Sequence, residues 1–520
     1  MVSRNNLNWY EDIQKEKGGN MKRNTLIAVL LILTLSIVPF SAVFAGGKEE
    51  AAVEEPEPQI TIEVTGSQSD RAVALGKQFK GTTLTLLYEG IQAGAIKLFA
   101  PNWEKLTGMK VRVVEVPFEE LVQKAITEHE AGTGAYDIML TSYSWVPDYV
   151  ESGVCIPIDK YVDKYMTEDD LADIEPGHRI AMMYYKDQIW GMPADGDLFI
   201  LYYREDLFND EGNRAAFKSR YGYDLAPPET WQQYNEIGQF ITDRYNGEIY
   251  GAGSQRGAGQ AFYFFAQVFQ GLGGEWFDMN TMESTINSPT GVEAMEQLVK
   301  ALEFGPPGME KWGAVELWSA YLEGKLAMLY SFPPIGRFSE AVGGIANYPT
   351  WLPMTKVPGK TNYALLPGPS AQMTAPWIWT ISADSKNKDA AFAFEMWFSS
   401  PEISMQVCTL PNSLIDPHRV SHYDSPYYRS LWPNAGNYLD VLREAGKYAT
   451  LDLKLIGGTE YQDAVDRAVT AVMGGMDIKK ALDQGAAKMD EITDRLGKDR
   501  VKESYAELVK LSEEVRRLAQ

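Results

Sequence analysis

The chain has 520 residues, of which 45% are apolar and 23% charged, with a formal net charge of −23. That apolar content excludes disorder as the main state, and the length allows two to four domains or two large lobes. The acidic balance excludes nucleic acid as the main partner and fits anionic lipid poorly, since both need clustered Lys and Arg; it suits a soluble protein whose ligand is neutral or cationic.

Met21-Lys22-Arg23 is a basic start, residues 26–40 are an apolar run, and Val43-Phe44-Ala45 is a small-residue cleavage signal before Gly46. This is the pattern of a secretory signal peptide, and the run is shorter than the ~20 residues a membrane span needs. It predicts export to the periplasm with cleavage after Ala45. With no Cys following Ala45, no lipid anchor is expected. Residues 1–20 are polar and sit ahead of the signal, which makes Met21 the expected start. Residues 46–80, rich in Glu and Pro, read as an acidic flexible linker. Cys155 and Cys408 are too few for a disulfide framework and are expected as buried free thiols.

The folded body then begins with a buried strand at 82–88, a helix over 90–107 ending at Gly108, an alternating strand at 110–116, a helix over 118–130 and a second buried strand at 136–141. Strand–helix–strand alternation at this spacing predicts an α/β class with parallel βαβ units covered on both faces. Further on, residues 198–203 read as a strand. Thr230-Trp-Gln-Gln233 is a capping box opening a helix to about Arg244. Ser288-Pro289 supplies an N-cap and an N1 proline for the helix that follows. Residues 326–330 and 377–382 read as strands and 389–398 as a helix. Residues 478–520 form an amphipathic helical tail broken near Gly497.

Catalytic and cofactor signatures are missing. There is no P-loop, no G-x-S-x-G elbow, no H-E-x-x-H and no C-x-x-C. Gly251-Ala-Gly253 starts like a dinucleotide loop, but Arg256 stands at the third glycine. His418 and His422 are four apart next to Pro417, with no Cys or carboxylate cluster in sequence around them, and read as surface histidines rather than metal ligands. Asp195 and Asp197 are too close in sequence to flank a glycosidic bond as a catalytic pair. No cofactor, no metal and no enzymatic activity are expected.

Six segments in order over about residues 81–410 carry a resemblance: FAPNWEKLTGMKV from Phe99, GAYDIML from Gly134 with GVCIPID from Gly153, GMPAD from Gly191 with LYYREDLF from Leu201, PETW from Pro228, GKLAM from Gly324, and SADSKNKDAAF from Ser382. Together they resemble the extracellular solute-binding proteins of ABC importers, the family-1 sugar-binding type similar to maltose-binding protein. The resemblance implies a two-lobe periplasmic-binding-protein fold that closes by a hinge on a ligand in the cleft. It places 81–195 plus 345–398 in one lobe and 198–340 plus 400–520 in the other. It also implies a small-molecule solute, a carbohydrate or polyol, and a membrane permease as partners of a monomer. A non-sugar solute such as a polyamine, or a secreted carbohydrate-active enzyme with two opposed carboxylates, stands as the alternative.

Sugars offer C–H faces and a rim of hydroxyls, so their sites need flat rings and polar side chains, and α/β sheets bind ligands beyond their strand ends. Glu89 and Gly90 follow the first strand, and Tyr143, Ser144 and Trp145 follow the strand at 136–141. Trp377 and Trp379 share one face of a strand, so that one reaches the cleft while the other packs in the core. By the resemblance, Asp195 and Asp197 lie at the crossover between lobes, and Trp276 sits where the family places a stacking aromatic. The family's Gly-Pro-Trp after the A-M strand is replaced here, with Pro at the Trp position, which leaves Tyr330 or Phe332 as the ring at that wall. Trp103, Trp312 and Trp397 are expected in the core.

Overall fold

A computed structural model describes residues 65–520 apart from 369, 374 and 375. The signal peptide, the expected start at Met21 and the first part of the acidic stretch lie outside the described residues. No helix among the described residues is long and apolar enough to cross a membrane.

Thirteen strands are described: β1 Thr83–Glu89, β2 Lys110–Val116, β3 Ile138–Ser142, β4 Tyr184–Tyr185, β5 Gln188–Ile189, β6 Met192–Pro193, β7 Ile200–Arg204, β8 Tyr250–Gly253, β9 Leu326–Ser331, β10 Thr361–Ala364, β11 Ala371–Met373, β12 Trp377–Ile381 and β13 Ala449–Leu451. They form two principal sheets, ordered β2-β1-β3-β12-β6 and β10-β7-β9-β8, and two small two-stranded ones, β11-β13 and β4-β5. Each principal sheet is the floor of one lobe.

Register decides which residues share an edge. In the first sheet β1 runs parallel to β2 and β3, so Glu89, Val116 and Ser142 end at the same side. β12 is antiparallel to β3 and begins there, with Trp377 opposite Ser142, and β6 ends there, with Pro193 opposite Ile378. In the second sheet β8 and β9 are parallel, and β7 starts where β9 ends, with Ile200 opposite Ser331. Residues 194–199 therefore leave the edge of the first sheet where β1 and β3 end and join the edge of the second where β9 ends.

The helices follow their local signals. Thr230 and Gln233 close a capping box on Trp231–Arg244, and Ser288 caps Pro289–Lys300. The tail splits into Ile478–Leu496 and Lys498–Arg516 at Gly497, whose φ of 94° is open to glycine and strained for other residues. Trp103 and Trp397 are buried in the first lobe's core, 5.3 Å apart between ring centres, whereas Trp312 is half-buried at the end of a short 3-10 turn.

Three expectations change. The linker does not run to residue 80: Gln68–Gly76 is a helix with a Ser67/Asp70 capping box. It is pinned because Ala72 and Leu75 are buried, Arg71 pairs with Asp170, and Gln68 donates to the Met396 carbonyl at 2.8 Å. Residues 345–398 do not stay together: β10 pairs with β7 in the second sheet, while β12 lies in the first. His418 and His422 are not on the surface but fully buried, because segment 416–422 packs against the crossover and the helix Pro401–Cys408. Cys155 and Cys408 are buried free thiols.

Candidate functional site

The first sheet's edge is aromatic. Phe118, just past β2, Trp145, just past β3, and Trp377, the first residue of β12, meet at ring-centre distances of 5.3, 5.8 and 5.7 Å. Beside them an open hollow of about 470 Å³ is lined by Glu89, Gly90, Ile91, Glu115, Val116, Pro117 and Phe118. Ile91 is 72% exposed there, an apolar side chain at the rim.

The expected residues of this edge come together. Glu89 is buried at the end of β1, and Gly90 donates its N–H to the Val116 carbonyl. The Tyr143 hydroxyl donates to the Met373 carbonyl at 3.2 Å and accepts from the Asp452 N–H at 2.6 Å, tying the loop after β3 to the end of β13. Ser144 and Ser142 share a hydrogen bond at 3.1 Å. Trp379, two residues beyond Trp377, turns away from the edge into contacts with Tyr88, Phe394 and Phe398. Both rings are buried, Trp377 in the edge cluster and Trp379 in the core.

The crossover carries three buried carboxylates. Asp195, Asp197 and Asp416 each place an oxygen within 4.8 Å of the others. Asp195 Oδ1 accepts from the Gly196 and Asp416 N–H groups, both at 2.7 Å. A Cβ on residue 196 would stand 2.3 Å from the Pro417 carbonyl, so glycine permits this close approach. Arg337, fully buried, pairs with Asp416 at 2.8 Å. Burial, then repulsion from Asp416, raises Asp195 above the ordinary carboxylate range, and burial, then repulsion from Asp195 and Asp416, raises Asp197. Burial raises Asp416 as well, against the pull of Arg337.

The second sheet's edge is polar. Ser254, Gln255 and Arg256 follow β8 and are buried. Both polar atoms of the Gln255 side chain, and Arg256 Nε, have no hydrogen-bond partner. A buried amide without partners costs ~1–3 kcal/mol, so it is a feature that binding can justify. Tyr263, on the helix Ala261–Gly271, has its hydroxyl raised first by burial and then by Asp452, Asp197, Asp466 and Glu89. Phe332, just after β9, is half-buried and meets Phe199 and Tyr263. Tyr330 is buried among Phe199, Trp231, Tyr234 and Phe264. Trp276 stacks on Phe262 at 5.5 Å and contacts Phe269, with its backbone N–H bound to the Tyr505 hydroxyl.

Sequence reasoning missed Phe118, Gln255, Arg256, Tyr263 and Asp416. The usable signal for three of them was position after a strand, the rule that found Trp145. Asp416 is more than 200 residues from Asp195 in sequence, and no local pattern joins them.

The profile of the family described as bacterial extracellular solute-binding protein matches residues 88–405. A protein of Sinorhizobium fredii, named a probable amino-acid ABC transporter periplasmic-binding protein, is 25% identical over 371 residues, covering 70% of this chain and 79% of its own. The maltotriose-binding protein of Pyrococcus abyssi is 23% identical, covering 74% of this chain and 82% of its own. Among solved structures, an ABC transporter solute-binding protein from Agrobacterium radiobacter in complex with ribitol has the same two-lobe fold. Its TM-score is 0.67 at 22% identity, over 79% of this chain and 99% of that one. On the family match, the chain belongs to the bacterial extracellular solute-binding proteins.

Proposed function

We propose that this protein is the exported substrate-binding component of an ABC importer and takes a sugar, oligosaccharide or polyol between its lobes. The observation that carries the reading is the pairing of unlike edges. Phe118, half-buried, closes over the buried rings of Trp145 and Trp377 at one sheet's edge, and Gln255 and Arg256 offer unpartnered polar atoms from the other. Sugars and polyols have both a C–H face and hydroxyls, and that chemistry suits the pair. Asp195 and Asp197 lie where the closing hinge bends, so either carboxyl meets a solute hydroxyl on closure. The maltotriose-binding relative and a mannitol-binding relative from Pseudomonas aeruginosa support the solute class.

In this reading the signal peptide is cleaved after Ala45 and the protein works in the periplasm as a monomer. The closed form delivers its solute to a membrane permease. The chain acts by binding alone, and a purified sample turns over no glycoside. Residues 81–195 belong to the first lobe with β12 and the helix Lys388–Phe398, and 198–340 to the second with β10. One observation favours a second solute class: the clustered carboxylates of Asp195, Asp197 and Asp416 suit an amine as well as hydroxyls.

A thermal-shift screen of the purified protein against monosaccharides, oligosaccharides, polyols and polyamines tests the reading. A ligand at a hundred times its Kd adds ~2.7 kcal/mol to stability. A rise in Tm with a sugar or polyol, with the compound recovered unchanged, is the expected result. A rise with polyamines alone transfers the assignment to the second class, and release of a cleaved sugar overturns the binding-only reading.

A further inference from the structure

The helix Pro401–Cys408 ends in Cys408, and the chain passes it again at 416–422. There the Cys408 sulfur and one ring nitrogen each of His418 and His422 lie within 4.8 Å of one another, all buried. Hydrogen bonds fix the ring protonation. The Ser404 hydroxyl donates to the Ser400 carbonyl at 2.7 Å, so its oxygen accepts from His422 Nε2–H at 2.9 Å. The His422 lone pair is then on Nδ1, 3.8 Å from Cys408 Sγ, where it accepts a long hydrogen bond from the His418 backbone N–H at 3.4 Å, and the Cys408 thiol donates to the Asp416 carbonyl at 3.2 Å, two contacts that a metal ion would replace. His418 Nδ1–H donates to the Asp416 carbonyl at 3.1 Å, which puts its lone pair on Nε2, a buried atom with no partner.

Two neutral imidazoles and a thiol, drawn together out of water, are a donor set for a soft cation. In each ring the nitrogen not carrying the lone pair is held by an oxygen, the outer contact that orients metal-bound histidines. A tetrahedral zinc with Zn–S near 2.3 Å and Zn–N near 2.0 Å spans about 3.6 Å between S and N, close to the 3.8 Å between Sγ and Nδ1. Arg337 and Arg419, the cations that bear on Cys408, are engaged by Asp416 and Asp173.

We propose that Cys408, His418 and His422 form a binding site for a single zinc ion, set in the segment that clamps the crossover between the lobes. Ligation forms one Zn–S and two Zn–N bonds, the thiol proton leaves to solvent, and water takes the fourth position. The ion ties the helix Pro401–Cys408 to residues 416–422, and through Asp416 and Pro417 it holds the crossover at Asp195 and Gly196. This site is independent of which solute the cleft takes.

The test titrates the whole protein, stripped of metal and kept reduced, with Co²⁺ as the probe for zinc. A thiolate-to-cobalt charge-transfer band that saturates at a single equivalent, and that Zn²⁺ bleaches, is the expected result, together with a Tm raised by Zn²⁺. Cys408→Ser abolishes the band, and Cys155→Ser keeps it. Ser404→Ala, which frees the His422 ring, weakens zinc binding by ~10–100-fold. No saturable band in the wild-type protein overturns the proposal even if Cys408→Ser fails to fold. A band that survives in Cys408→Ser, or is lost in a folded Cys155→Ser, overturns it as well.

Discussion

The two sheets end in different chemistry. The first sheet's edge is closed by rings that satisfy one another, Phe118, Trp145 and Trp377, while the second ends in Gln255 and Arg256, whose polar atoms are buried without partners. The two edges differ in what they lack: the Trp145 and Trp377 rings are covered and only Phe118 is half-exposed, whereas the Gln255 amide has hydrogen bonds to make. The lesson is that a two-lobe binder can divide recognition, with shape and stacking from one wall and hydrogen bonding from the other, so that full affinity waits for closure.

Four changes break or sharpen that contrast. Trp379→Ala, on the strand of Trp377 but turned into the core against Phe394 and Phe398, should cost ~3–5 kcal/mol of stability in urea unfolding. Trp145→Ala should lower solute affinity by ~30-fold, as for loss of a ring anchor; calorimetry that finds full affinity would remove the ring wall from the site. Gln255→Leu removes two unpartnered polar atoms, so stability should hold or rise while affinity drops by ~10-fold. A variant that loses stability with affinity unchanged would make Gln255 a structural residue.

The smallest effect is a pH slope from the crossover carboxylates. Their folded values stand above the ordinary carboxylate range, so the folded state binds more protons than the unfolded one from that range up through about 8, where Asp195 titrates. Stability contributed by these groups is therefore present at low pH and falls as pH rises through the window. Asp197→Asn removes one of the raised carboxyls and should flatten that fall. An unchanged slope in urea melts at pH 5, 6, 7 and 8 would detach the triad from stability.

Much of the fold was legible because its signals are local. The strand over 110–116, the capping box at Thr230 and Gln233 and the break at Gly497 all depend on residues within a turn of one another. The linker reading failed at Gln68–Gly76 for the opposite reason. A short polar stretch has no intrinsic reason to order, and its helix depends on Arg71 reaching Asp170 and Gln68 reaching Met396. Residues 345–398 likewise looked continuous, and only pairing with β7 or β3 decided which part joined which sheet.

By itself the sequence determined the secondary elements, the α/β class, the membership implied by six ordered segments, and Trp145 and Trp377 as strand-end rings. Tertiary structure alone decided what converges across long separations. It brought Asp416 to Asp195 and carried Cys408 to His418 and His422 in the interior. Hydrophobic periodicity and capping report on neighbours within a few residues, whereas a site is made by chain crossings whose partners are chosen by sheet register and burial.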